Sequence, residues 1–420
     1  MDKFDLIATA AFGLEGVVAR ELEWLGAEDI LTENGRVRFK GGFDMIARAN
    51  LWLRTADRVL ILLAEGKTTT FEELFQLTLA IPFEELMGQD ACFPVTGKSV
   101  KSTLFSVPDC QAIVKKAAVE RMKRHYGLEW FPEDGARYKL EVSILNDIAA
   151  ITLDTSGAGL HKRGYRAITG KAPIKETLAA GMILVSRWKK DRALIDPFCG
   201  TGTIPIEAAM IAKNIAPGLR RHFDFEKWKC FDGNIILGAR IEAEAAIENS
   251  LKLKIYGSDI DYFAIRQAMD NAEKAGLSDD ISFQKLDFRA VSSAQKYGFI
   301  ITNPPYGERL MEDREVIELY AAMGEHFKNF PTWSFYIISS RDGFEREFGR
   351  RADKKRKLYN GMLKCNLYQF FGPKPPKTGE KTGEIAGETA KGNGKLQENA
   401  GKFSGKNTRE NLAGIFEKSY

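Results

Sequence analysis

The sequence predicts an α/β chain: a smaller α+β region at the N-terminus, then a mostly parallel, doubly wound sheet. Three observations carry this. Strand-like and helix-like apolar patterns alternate along most of the chain. A glycine loop, Gly200-Thr201-Gly202, stands between the strand-like Ala193-Leu194-Ile195 and the apolar helix Ile204 to Ala212. Four strand-like runs end in a polar side chain: Asp196, Asp259, Asp287 and Asn303.

The N-terminal region reads in order. Phe4 to Thr9 forms a strand, Leu14 to Leu25 a helix rich in alternating charge, and a hairpin ends at Val37-Arg38-Phe39. This strand-helix-strand order suggests a ferredoxin-like unit over residues 1–60. In residues 61–160, Val59 to Ala64 continues as a strand, Phe71 to Ile81 as a helix and Ala91 to Val95 as a strand. A helix from Pro108 to Tyr126 and two β-like runs in Lys139 to Asp154 follow. Residues 161–372 hold the doubly wound sheet.

The glycine loop limits its ligand. Asp196-Pro197-Phe198-Cys199-Gly200-Thr201-Gly202-Thr203 lets the backbone pass where a Cβ would collide. A dinucleotide fingerprint wants a third glycine where this chain has Pro205, and the Gly-Lys-Ser/Thr of a P-loop is absent. A ligand without a phosphate grip remains, and S-adenosylmethionine fits. Asp259, followed by Ile260, is placed to accept ribose hydroxyls. Asp287 is placed to accept from the adenine amine, with Phe288 beside the ring. Asp261 reads as a helix N-cap.

Asn303-Pro304-Pro305-Tyr306 follows the apolar run Tyr297 to Thr302. An exocyclic base amine is a poor nucleophile because its lone pair is delocalised into the ring. The Asn303 amide oxygen and the Pro304 carbonyl can each accept one of its N–H groups, which localises that pair and stabilises the developing charge. Tyr306 is expected to stack on an extruded or single-stranded base. Adenine N6, cytosine N4 and guanine N2 all present an amine to the same acceptors.

Taken together these strings resemble the class I S-adenosylmethionine-dependent methyltransferases of base amino groups. More narrowly, they are similar to THUMP-bearing RNA guanine-N2 methyltransferases, including the large-subunit ribosomal RNA enzymes. Leu160 to Arg166, Ala172 to Ala179 and Arg356 to Gly361 support the likeness, which covers nearly all of residues 1–372. It implies a Rossmann-like catalytic domain at 161–372 preceded by a THUMP domain at 61–160. It also implies methylation of guanine N2 in 23S ribosomal RNA, with a tRNA guanine-N2 or an adenine-N6 enzyme as alternatives. Thr177 joins the cofactor residues, Gly307-Glu308-Arg309 points to guanine, and Arg163 and Arg166 are expected on the RNA side.

Basic residues refine the RNA expectation more than the net charge of +4 does. Gly97-Lys98-Ser99, Lys101 and Ser102 read as a flexible polar loop suited to phosphate, followed by Lys115 and Lys116 on a helix. A second cluster runs from Arg350 to Lys357. Five scattered cysteines and four histidines lack metal-ligand spacing, so no metal is expected. No apolar run approaches the ~20 residues of a membrane span, and a cytoplasmic protein is expected.

Two segments stand apart. An insert from about 213 to 251 separates the glycine loop from Asp259 and is expected to be ordered, with a helix from Gly238 to Asn249, and to pack beside the site. Residues 373–420 are Pro, Gly, Lys, Glu, Thr and Asn with few apolar side chains. Most of that stretch is expected to be a disordered tail, with a short helix from Leu412 to Tyr420.

Overall fold

The computed structural model describes residues 3–166, 174–306 and 313–376. The expected tail from 377 onward lies outside them, as do Gly307-Glu308-Arg309 and Ala172-Pro173.

The N-terminal half is one seven-stranded sheet. Its elements are β1 (Phe4–Ala10), α1 (Glu15–Trp24), β2 (Glu28–Glu33), β3 (Arg36–Gly41), α2 (Phe43–Trp52), β4 (Ala56–Lys67), α3 (Phe71–Leu79), β5 (Val95–Val100), α4 (Val107–Tyr126), β6 (Lys139–Leu145) and β7 (Ile148–Asp154). The strand order is β2-β3-β1-β4-β7-β6-β5. β4 spans 12 residues; its first half pairs with β1 and its second with β7, across an irregularity at Leu62/Ala64. A division at residue 60 therefore falls inside a strand shared by two units.

Two local expectations are corrected. Ala91 to Pro94 is not a strand, although Cys92 makes one isolated bridge with Arg137, and only Val95 of the expected run is extended, as the first residue of β5. The expected polar loop is instead β5, which runs parallel to β6 and carries Lys98 and Ser99. Its central glycine suggested a turn. A Cβ on Gly97 would stand 3.1 Å from Gln111 and 3.2 Å from Val107, so the glycine lets α4 lie close over the strand.

The C-terminal half begins with α5 (Glu176–Ser186), β8 (Leu194–Asp196), α6 (Thr203–Ala212), α7 (Gly233–Ala245), β9 (Ile255–Asp259), α8 (Tyr262–Ala275) and β10 (Ile281–Lys285). It continues with β11 (Phe299–Thr302), α9 (Asp313–Phe327), β12 (Ser334–Ser339), α10 (Phe344–Phe348), β13 (Lys354–Asn360) and β14 (Leu363–Phe370). The sheet order is β10-β9-β8-β11-β12-β14-β13, parallel except for β14, which runs antiparallel to both neighbours. Chain order reverses between β8 and β11, the switch point at which ligands of open α/β sheets bind. Among the described residues no helix is long and apolar enough to cross a membrane.

The insert departs from expectation in what it packs against. Phe223, Phe225, Trp228 and Phe231 are buried in the core of the N-terminal half, and Trp228 stacks on Tyr138 at 5.0 Å while its Nε1 donates to the Arg137 carbonyl at 2.9 Å. Burying each such ring contributes roughly 1.5–3 kcal/mol. The helix is α7, started by an Asp232 cap, and it lies against α2. The insert thus fastens the two halves to each other. Arg163 does the same: its guanidinium meets Glu207 of α6 at 3.3 Å and donates to the Leu160 and Arg54 carbonyls.

Candidate active site

The expected site residues converge at the carboxyl ends of adjacent parallel strands. Asp196 ends β8, Asp259 ends β9, Asp287 lies two residues beyond β10 and Asn303 directly follows β11. Register holds them side by side: Asp196 pairs with Gly257, and Asp259 with Lys285.

Hydrogen bonds tie the loops together. Thr302 Oγ1 donates to Asp196 Oδ1 at 2.6 Å, and the Phe198 N–H to the same oxygen at 3.2 Å. The Gly200 N–H donates to Asp259 Oδ2 at 3.0 Å, and Cys199 N–H to the Ser258 carbonyl at 2.9 Å. From α8, Asn271 Nδ2 donates to the Thr201 carbonyl at 3.0 Å. Gly200 and Gly202 both hold positive φ, +52° and +84°. A Cβ on Gly202 would press on Phe283 at 2.9 Å, whereas one on Gly200 would meet nothing within 4 Å. Gly202 is therefore required by packing, and Gly200 leaves open space over the loop.

Electrostatics follow burial. Asp196 is 1% exposed, and desolvation, with a smaller push from Asp259, raises its pKa to about 7 against the bond from Thr302. Burial also pushes the Cys199 thiol far up, with Asp196 and Asp259 adding to the shift, so it is no thiolate nucleophile.

The cofactor residues fit S-adenosylmethionine on one structural observation. Thr201 Oγ1 and Ser258 Oγ, on the glycine loop and beside Asp259, are buried without a hydrogen-bond partner among the described residues. Orphaned hydroxyls cost free energy unless a ligand satisfies them. Asp259 keeps an acceptor oxygen shared with the Asp261 N–H at 3.0 Å, and Asp261 caps α8. Ile260 is 66% exposed beside it. Asp287 accepts from its own turn and pairs with Arg289 at 3.0 Å. Phe288 differs from expectation. It is buried against Phe198 at 5.1 Å between ring centres, so it backs the loop and offers no open face. Thr177, near the start of α5, donates to Asp57 Oδ1 of the N-terminal half at 3.1 Å.

The tetrapeptide is held from two sides. Tyr306 Oη donates to Asn303 Oδ1, and burial raises its pKa well above the usual value, keeping it a donor. Its ring packs partly buried against the core of the C-terminal half, not outward as a free platform for a base. An amide oxygen carries two lone pairs, so Asn303 can still accept a base N–H. Tyr320 Oη of α9 donates to the Pro305 carbonyl at 2.8 Å and contacts Ser339 Oγ at 3.1 Å. Sequence reasoning missed Tyr320, which reads only as a core position of an amphipathic helix.

The basic residues divide. Arg163 is 4% exposed and Arg166 is bound to Thr203 Oγ1 at 2.6 Å and to Glu176 at 3.3 Å. The expected RNA contact of Arg163 is corrected, since its guanidinium is buried among a carboxylate and carbonyls; that of Arg166 is partly buried and engaged by Thr203 and Glu176. Lys115 is half-buried over Phe93 and paired with Glu133 at 2.6 Å. Lys98 pairs with Glu141 at the surface, Ser99 Oγ donates to the Leu104 carbonyl at 2.6 Å, and Lys116 sits over Phe75. Lys101 is exposed after β5. Among the described residues, no group of three or more His, Cys, Asp or Glu comes together to hold a metal ion.

Comparisons agree with this geometry. Residues 163–369 match the family described as an RMKL-like methyltransferase domain, residues 5–60 an RlmL ferredoxin-like domain, and residues 68–154 a THUMP domain. The chain is 49% identical over 378 residues to YpsC of Bacillus subtilis, provisionally named an RNA methyltransferase, covering 90% of this chain and 98% of that one. It is 37% identical over 380 residues to the ribosomal RNA large subunit methyltransferase K/L of Psychromonas ingrahamii, spanning 87% of this chain but only 50% of that protein. Among solved structures, SMU.472, a methyltransferase candidate complexed with SAH, matches with a TM-score of 0.85 and 45% identity over 90% of this chain and 100% of that one. A Listeria monocytogenes protein named as a predicted N6-adenine-specific DNA methylase matches with a TM-score of 0.84 and 52% identity over 89% and 97%.

Proposed function

The chain belongs to the RMKL-like, THUMP-bearing family of S-adenosylmethionine-dependent methyltransferases, and from that premise we propose that it methylates the exocyclic N2 amine of a guanine in 23S ribosomal RNA. The observation that carries the reading is the seating of Asn303-Pro304-Pro305 beside the glycine loop, with β11 and β8 joined through Thr302 and Asp196. The cofactor's sulfonium supplies an electrophilic methyl group.

The protein's own residues position the acceptor. Asn303 Oδ1 and the Pro304 carbonyl take the two amine N–H groups and concentrate the nitrogen lone pair. Tyr306 fixes the Asn303 amide, and Tyr320 fixes the Pro305 carbonyl, so the acceptors are oriented before the base arrives. No buried carboxylate or imidazole is needed as a strong base, because the methylated amine is acidic once charged and yields its proton to water. Lys98 on β5 and Lys101 just after it supply phosphate contacts in this reading.

RNA is favoured by the THUMP match and by the naming of both relatives; ribosomal RNA is favoured by the K/L relatives. The Listeria likeness favours an adenine-N6 reading as the alternative, since the same acceptors serve that amine. Incubating the purified chain with ribosomal RNA, tRNA and DNA from cells lacking its gene, then analysing nucleosides by mass spectrometry, separates these. N2-methylguanosine in the large ribosomal RNA is expected; N6-methyladenosine, or label in DNA alone, would replace the proposal.

A further inference from the structure

The first loop of the chain and the last hairpin enclose a cavity of about 320 Å³ that reaches the start of α5, within the roughly 300–1,000 Å³ of small-molecule sites. Phe12 comes from the loop after β1, Asp57 from β4, Lys175 and Thr177 from the start of α5, and Tyr359 from β13.

Unusual backbone constraint holds Phe12 in place. Gly13 has φ +91°, and a Cβ there would stand 2.2 Å from the Lys357 carbonyl oxygen, so the loop lies directly on β13. Arg356 Nη1 donates to the Gly13 carbonyl at 2.9 Å. Leu14 is fully buried against Gly181 of α5, where a Cβ would come within 2.7 Å of its methyl group. Yet Phe12, between these anchors, keeps 42% of its surface exposed. Its ring meets Tyr359 edge-on, 5.8 Å between centres at 86°. Lys357 Nζ lies 5.2 Å from the Phe12 ring and 5.5 Å from the Tyr359 ring, and among the described residues it makes no ion pair.

An exposed ring, Phe12, and a half-buried one, Tyr359, with a cation beside both suit an unpaired nucleobase and its phosphate. Because the rings are already fixed, stacking on them costs little ordering entropy. The Asp57 carboxylate, already accepting from Thr177, gives the cavity an acceptor for a base amine or a ribose hydroxyl. The hairpin also links the cavity to the acceptor tetrapeptide, since Asn360, next to Tyr359, hydrogen-bonds Tyr306.

We propose that Phe12, Tyr359 and Lys357 form a stacking site for an unpaired RNA nucleotide flanking the methylated base. The inference rests on RNA being the substrate.

The test uses the full chain with 5-iodouridine-substituted 23S ribosomal RNA transcript and ultraviolet cross-linking, the joined peptides being read by mass spectrometry. Cross-links at Phe12 and Tyr359 are expected. Steady-state kinetics on the unsubstituted transcript supply the second arm. F12A and Y359A should each raise KM for RNA about ten-fold, the order of one lost base stack. SAH affinity should stay within two-fold, and F12Y and Y359F should retain near-normal KM. A wild-type protein that methylates the transcript, with cross-links elsewhere and F12A and Y359A at normal KM, overturns the stacking site alone. A wild type that neither binds nor methylates RNA overturns the substrate reading and this inference with it.

Discussion

Thr302 Oγ1 donates to Asp196 Oδ1 at 2.6 Å, joining the last residues of β11 and β8 across the point where strand order reverses. The bond aligns the tetrapeptide that follows Thr302 with the glycine loop that follows Asp196. It does not fully offset the cost of burying a carboxylate, whose pKa stands at about 7 against an ordinary 3.8. The folded state therefore holds this proton more tightly than the unfolded chain does. The associated stability is complete below pH 3.8 and is lost as pH rises through about 7. Urea melts of the ligand-free protein between pH 5 and 8 should show Asp196→Asn losing less stability than the parent over that window. Parallel profiles would mean that Asp196 is ionised throughout.

In the proposed reading Asn303 Oδ1, already accepting from Tyr306, acts on the substrate amine. Asn303→Ala should lower kcat by at least 100-fold, the scale of losing an oriented charge-stabilising acceptor. SAH affinity, measured by calorimetry, should remain within a few-fold. Turnover close to that of the parent would remove Asn303 from the mechanism.

Tyr320 reaches the Pro305 carbonyl from α9 without being placed to touch the base. Tyr320→Phe deletes the hydrogen bonds to the Pro305 carbonyl and to Ser339 Oγ, each worth about 1 kcal/mol, and keeps the buried ring. We expect kcat to fall several-fold with KM for RNA nearly unchanged. A change confined to KM would point to a substrate contact instead.

Arg163 is the clearest case in which charge misled. Its guanidinium is buried with Glu207, so Arg163→Ala leaves an uncompensated carboxylate and should cost about 3–5 kcal/mol of stability. Chemical denaturation reads this directly. An undiminished midpoint accompanied by weaker RNA binding would restore the solvent-facing role.

Much of the architecture was legible because period and punctuation agree. The glycine loop lies between a short apolar run and an apolar helix, and each strand of the parallel sheet is bounded by polar residues. Long-range pairing was less legible. β4 reads as one apolar run, and nothing local reveals that it serves β1 and β7 in succession. Side-chain direction was hidden as well. Phe288 and Tyr306 are aromatic in the right places, but their rings face the core, while Phe12, far away in sequence, stays exposed. The insert's aromatics signalled order without signalling which half they fill.

The central claim is that a methyl donor lies between the glycine loop and the Asn303 tetrapeptide. A crystal structure of the chain with S-adenosylhomocysteine tests it most directly. The ribose is expected at Asp259, with the hydroxyls of Thr201 and Ser258 newly hydrogen-bonded and the sulfur facing Asn303. Ligand density anywhere else, with those hydroxyls still unpaired, would contradict it.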